Sequence, residues 1–152
     1  MAKFKSRKLI VLEANLDDMN PEWCEPLMER LFDVGALDVW FQPIVMKKGR
    51  PAFLAGALAE PRRRDALLDV FFEESTTLGV RVTETERFEL ARSLNRVRTP
   101  YGEVIVKTGR DASGRILNAA PEHESCKAVA EKKNVPLKKV YQAALKSFTM
   151  KS

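Results

Sequence analysis

Histidine occurs once in this 152-residue chain and cysteine twice, at Cys24 and Cys126. The two thiols lie far apart with no CxxC pair, which speaks against a disulfide framework. Lone thiols of this kind suit a reducing, cytoplasmic compartment. No apolar run approaches the ~18–20 residues that a membrane span needs. The N-terminal stretch MAKFKSRKLIVLEANL is basic but lacks an apolar core and a small-residue cleavage site, so it does not read as a secretory signal. The patterns GxxxxGK[ST], GxGxxG, HExxH and GxSxG are all missing. Their absence removes the P-loop, dinucleotide-fold, metalloprotease and nucleophile-elbow readings. There is no internal repeat and no low-complexity linker.

What is present is the composition of a folded protein, with 45% hydrophobic and 31% charged residues. That balance excludes wholesale disorder, and the length supports one domain or a domain with a sizeable appendage. The formal charge of +5 is unevenly spread. Residues 1–90 carry 13 basic and 16 acidic side chains, whereas residues 91–152 carry 13 basic and 5 acidic ones (net −3 and net +8). A basic tail suits nucleic acid, nucleotides or other phosphorylated ligands, and charge alone does not choose among them.

Residues 8–16 are rich in apolar and β-branched side chains and read as a buried strand. Asn20-Pro21 supplies a helix cap and a preset first turn. Trp23, Leu27, Leu31 and Val34 follow at helical spacing, and Gly35 marks the exit. Residues 36–46 form a second strand, with Pro43 favouring an edge or a bulge. A tight polar turn, Lys47-Lys48-Gly49-Arg50-Pro51, leads to a third strand over 52–59. Pro61 opens a second helix whose Leu67/Phe71 and Leu68/Phe72 pairs lie four apart, predicting a buried face; Met28 and Phe32 join them as expected core. Thr76–Gly79 then enters a fourth strand over 80–89. The resulting β-α-β-β-α-β order over residues 8–90 is the ferredoxin-like pattern, an α+β fold with strand order 4-1-3-2 and both helices on one face. Residues 91–150 read as a basic extension packed on, or swapped with, that module. It comprises a β-hairpin (92–98 and 101–109), a short extended piece (115–119) and two helices opened by Pro121 and Pro136.

This topology sends three connections to the same edge of the sheet. They are Asn15–Asn20 after the first strand, Lys47–Arg50 in the hairpin, and Thr76–Arg81 at the entry to the fourth. Paired carboxylates, a cationic hairpin and a hydroxyl-glycine loop on one rim suit a metal-bound polyphosphate. Magnesium or manganese takes one or two carboxylates and completes its shell with phosphate oxygens and water, while Lys and Arg offset the remaining charge. Each cluster also has a plainer reading. Asp17 and Asp18 can favour the positive end of the first helix, and the lysines can keep a hairpin solvated. His123 and Cys126, three apart on a predicted helix, share a face and are compatible with a soft metal or with simple packing. Glu122 and Glu124 read as an acid/base pair or as helix-start carboxylates. An RNA-recognition sheet of the same topology stacks bases on exposed aromatics of its central strands. Here those strands offer only Phe53, so nucleic acid is not the expected partner.

The runs Glu13–Glu22, Gly35–Val39, Met46–Pro51 and Thr76–Arg81 resemble the C-terminal domain of LarC-type nickel-insertion proteins. So do Thr99–Gly102, Ala120–Glu122 and Val135–Tyr141, in the same order over roughly residues 8–146. The resemblance implies a CTP-dependent insertase that places nickel in a pyridinium-3,5-bisthiocarboxylate mononucleotide, yielding the nickel-pincer nucleotide cofactor of lactate racemase. It further implies that this domain holds CTP with Mn2+ or Mg2+, Ni2+ being the substrate ion. By motif position, Asp17 and Asp18 would meet the divalent ion, with Glu122 completing the site. Lys47, Lys48 and Arg50 would contact the triphosphate, supported by Thr76, Thr77 and Arg81, with Lys107 on the later hairpin a secondary phosphate candidate. Such proteins carry a preceding N-terminal domain with His-rich sequence, so the expected partners are a separate domain of that type and further copies of the chain. Ala14 stands where the family usually has Thr. The alternative reading is a non-catalytic nucleotide-sensing or oligomerisation module.

Overall fold

The computed structural model describes residues 4–149. The chain divides into two compact units, one spanning Ser6–Arg87 and the other running from Phe88 onward together with Phe4 and Lys5.

The first unit contains β1 (Lys5–Leu16), a 3-10 turn (Pro21–Trp23), α1 (Cys24–Asp33), β2 (Asp38–Met46), β3 (Arg50–Ala59), α2 (Arg64–Glu74) and β4 (Arg81–Glu89). Its sheet runs β2-β3-β1-β4, the expected order read from the other edge. The alternation along β1 sets the architecture. Ile10, Leu12, Ala14 and Leu16 are buried and share a core with Leu27 and Leu31 of α1 and Leu67, Val70 and Phe71 of α2. Their partners across β3 are Ala59, Ala57, Ala55 and Phe53, mostly small side chains that leave room for the helices. Pro43 sits on the edge strand, where its missing N–H leaves no inner ladder broken. Pro26 falls in the first turn of α1, whose N–H groups have no intrahelical partner anyway.

Two expected core aromatics are not in the core. Phe32 is 45% exposed and Phe72 is 49% exposed. Each helix lies flat on a sheet and buries one narrow stripe, Leu27/Leu31 or Leu67/Val70/Phe71. The next residue round the helix, about 100° away, therefore points outward. Met28 and Leu68 flank the stripe and are only partly buried.

The second unit contains β5 (Ala91–Thr99), β6 (Gly102–Arg110), β7 (Ile116–Pro121), α3 (His123–Lys133) and α4 (Leu137–Thr149). The short extended piece pairs with β6, making a three-stranded sheet β5-β6-β7. Val97, Val104, Val106, Cys126, Ala130, Val140 and Ala144 form its core. Pro121 closes β7 rather than opening α3. The Glu122 carboxylate accepts the Ser125 N–H at 2.7 Å and so starts the helix two residues later, at His123.

Candidate functional site at the rim of the first sheet

β1 ends at Leu16, and the backbone bends through Asp17–Met19. Met19 is buried beneath the bend while Asp18 faces outward. The 3-10 turn that leads into α1 is capped by Asn20, whose Oδ1 accepts the Glu22 N–H at 3.1 Å. Asp17 and Asp18 are therefore not the capping groups, and each reaches to a different connection. Arg50 Nη1 donates to Asp17 Oδ2 at 3.2 Å, and Thr76 Oγ1 donates to Asp18 Oδ1 at 2.5 Å. The end of β1, the hairpin and the entry to β4 thus meet at one rim, within one unit.

The hairpin at this rim is conformationally costly. Lys48 adopts left-handed backbone angles (φ 64°, ψ 20°), and Gly49 follows at φ 68°. A non-glycine residue there costs about 1–2 kcal/mol. Lys47 and Lys48 are exposed and make no hydrogen bond or ion pair among the described residues. In the β4-entry loop, Thr77 is turned back on itself, donating to the Gly79 carbonyl at 2.9 Å and accepting its N–H at 3.3 Å. Arg81 Nη2 donates to Asn15 Oδ1 at 2.9 Å, and its guanidinium lies 3.9 Å from Glu13 Oε2. Asn15 and Glu13 belong to the site's geometry although the run that contains them assigns neither a role. The available signal was two polar side chains alternating through an otherwise apolar strand. Beside Asp17 opens a groove of ≈ 540 Å³, lined among others by Leu16, Met19, Pro43, Pro51 and Phe53.

Among the described residues no three His, Cys, Asp or Glu side chains gather as a metal cluster. Two neighbouring carboxylates are an incomplete donor set for an all-protein cage. They do fit a hard divalent ion that takes the rest of its shell from phosphate oxygens and water. Glu122 and Lys107 lie in the second unit and pair with each other, Nζ to Oε1 at 3.4 Å. The Ser125 N–H, and after it the Lys107 ammonium, hold the Glu122 carboxyl below its ordinary range against the opposing effect of desolvation. His123 and Cys126 do not act together: Cys126 is fully buried, its thiol pushed up by desolvation, and His123 is exposed.

An antiparallel α+β unit with an acidic bend and a cationic hairpin at one sheet end, followed by a small α+β unit, defines the class of protein. The family model described as nickel insertion protein matches residues 1–141, and the chain belongs to that family. It is 46% identical over 138 residues to the pyridinium-3,5-bisthiocarboxylic acid mononucleotide nickel insertion protein of Thermotoga sp. (strain RQ2), covering 91% of this chain and 34% of the relative. It is 52% identical over 137 residues to a putative nickel insertion protein of Myxococcus xanthus, covering 90% and 35%. The chain therefore spans about one third of the length of these relatives. Among solved structures it resembles LarC2, the C-terminal domain of a cyclometallase involved in synthesis of the NPN cofactor of lactate racemase, in its apo form. That match has a TM-score of 0.90 at 36% identity and covers 95% of this chain and 99% of the other. Among the described residues no helix is long and apolar enough to cross a membrane.

Proposed function

We propose that this chain is the nucleotide-handling part of a nickel insertase that acts on a pyridinium-3,5-bisthiocarboxylate mononucleotide to make the nickel-pincer nucleotide cofactor. In this reading the rim binds CTP together with Mn2+ or Mg2+. The observation that carries it is the meeting of Asp17 with Arg50 and of Asp18 with Thr76, which draws three separate connections to one place. Asp17 and Asp18 would hold the ion, which when bound supplies charge neutralisation and orientation of the phosphates. Arg50 grips triphosphate oxygens through its planar fork, and Lys47 and Lys48 add point charges from the hairpin. Thr76 and Thr77 supply hydroxyl donors, and Arg81 is held ready by Asn15 and Glu13. Lys107 and Glu122 form a separate, mutually paired set of charges within the second unit. A separate N-terminal domain of the same family would handle nickel, the substrate ion, and further copies of the chain complete a cytoplasmic oligomer.

Titration calorimetry with CTP, ATP and GTP, with and without manganese, tests this reading. A metal-dependent preference for CTP is expected, and equal weak binding of all three with no effect of metal removes it. Release of cleaved nucleotide distinguishes an enzyme from a sensing or assembly module.

A further inference from the structure

The sheet of the first unit has helices on one face only, and its other face carries an unusual row. Pairing places Glu13 of β1 opposite Gly56 of β3, and Gly56 opposite Trp40 of β2. A Cβ built on Gly56 would collide with Cε2, Cζ2 and Nε1 of Trp40, all nearer than real contacts allow. Cζ2 and Nε1 are both bonded to Cε2, and all three lie at nearly the same distance. An in-plane approach to this ring-fusion carbon would meet Cζ2 and Nε1 first, whereas Cε2 is the nearest of the three, so the indole lies face-down on the glycine. Covering a strand glycine with an aromatic ring stabilises a sheet. The arrangement also leaves the second face of the ring turned away from the backbone. The indole N–H makes no hydrogen bond among the described residues.

Trp40 is half-buried, and charged groups stand on the same face of the sheet. Glu13 lies across Gly56 in the same row. The two adjoining rows on this face hold Asn15, Leu54 and Gln42 on one side and Val11, Leu58 and Asp38 on the other. Arg81 contacts both Asn15 and Glu13, linking this face to the rim. An upward-facing indole beside a carboxylate attracts a flat cation, through the ring quadrupole and by direct charge. A guanidinium next to them takes anionic substituents or a phosphate on the same molecule.

Resting on the function proposed above, we infer that Trp40, with Glu13 and Arg81, is the seat of the pyridinium ring of the mononucleotide substrate, adjoining the triphosphate rim and sharing Arg81 with it. Trp40 supplies the stacking face, Glu13 the counter-charge to the ring nitrogen, and Arg81 the contact to its acidic groups.

The chain has two tryptophans, so a Trp23→Phe background leaves Trp40 as the sole indole reporter. Nicotinic acid mononucleotide, a pyridinium mononucleotide, is the probe. Saturable quenching of Trp40 fluorescence is expected, with orotidine 5′-monophosphate, whose ring is uncharged, quenching far less. Glu13→Gln should weaken the probe's apparent affinity about tenfold, while Trp40→Phe, which keeps a ring face, should retain most of the binding seen by calorimetry. Linear, unsaturating quenching equal to that of free N-acetyltryptophanamide overturns the assignment. So does a Trp40 emission that shifts with protein concentration and ignores the probe, since a second copy then covers the ring. Manganese-CTP titrations of the same protein report on the rim separately. Saturable quenching without CTP binding sinks the rim alone, and CTP binding without quenching sinks this seat alone.

Discussion

Arg50 on the β2–β3 hairpin lies 3.2 Å from Asp17 at the end of β1, an ion pair between positions 33 residues apart. The Arg50 side chain is 54% exposed and that of Asp17 21%. Pairs this exposed contribute about 0–1 kcal/mol to stability. The meaning of the contact is placement: a cation and an anion from different connections stand together at the mouth of the site.

Arg50→Gln should accordingly leave the melting temperature within about 2–4 °C of the parent, since a loss below about 1 kcal/mol moves it little. Manganese-CTP affinity should fall at least tenfold. Thermal melts and calorimetry on the same preparation measure both. A large loss of melting temperature with unchanged nucleotide affinity would make the pair structural.

Lys48 separates binding from stability in the opposite sense. Its left-handed backbone (φ 64°) is costly for a residue with a Cβ and ordinary for glycine. Lys48→Gly should raise stability by up to about 1 kcal/mol in urea titrations while weakening triphosphate binding. Lys48→Ala keeps the strain, so it should weaken binding with no gain in stability. Loss of stability in the glycine variant contradicts this account of the hairpin.

Gly56→Ala places a methyl group where the Trp40 ring lies. Overpacking of this kind costs about 1–3 kcal/mol, read as a lower urea midpoint and a changed indole emission. Trp40→Leu should make the same glycine change cheaper, a coupling that a double-mutant cycle measures. Purely additive effects would show that the ring is elsewhere in solution.

Glu122 predicts a pH dependence in the second unit. Its carboxyl is held below the ordinary value of 4.5, first by the Ser125 N–H and then by Lys107. The folded state therefore binds fewer protons than the unfolded one between the two values. The stabilisation is complete above about pH 4.5 and is lost as pH falls through the lower folded value. Glu122→Gln should flatten the acid limb of stability measured by circular dichroism from pH 6 to 2.5. An unchanged acid limb would assign the acid sensitivity to other carboxylates, such as Asp111, which Ser113 also holds low.

Much of the fold is legible in one dimension. Periodicity two along β1, the Asn20-Pro21 start and Gly35 exit of the first helix, and Pro61 before the second mark the elements of the first unit. Their order restricts the sheet to very few topologies. Phe32 and Phe72 were misplaced because a stripe on a helix is narrower than the set of apolar residues able to fill it. Pro121 misled because the preceding strand absorbed it and a glutamate side chain took over the cap.

The candidate site divides in the same way. Its acidic bend, basic hairpin and threonine loop are visible as local clusters, and the chain order implies that they share an edge. Glu13, Asn15 and Trp40 are different, because a strand's partners are set by register and pairing energy between segments far apart in sequence. By itself, then, the sequence determined the secondary elements, their order and the family, through local preference and matching runs of residues. Only the tertiary structure decided that Asp17 faces Arg50, that Asp18 faces Thr76 and that an indole lies on Gly56. Those contacts arise from packing across strands and loops, which no local propensity encodes.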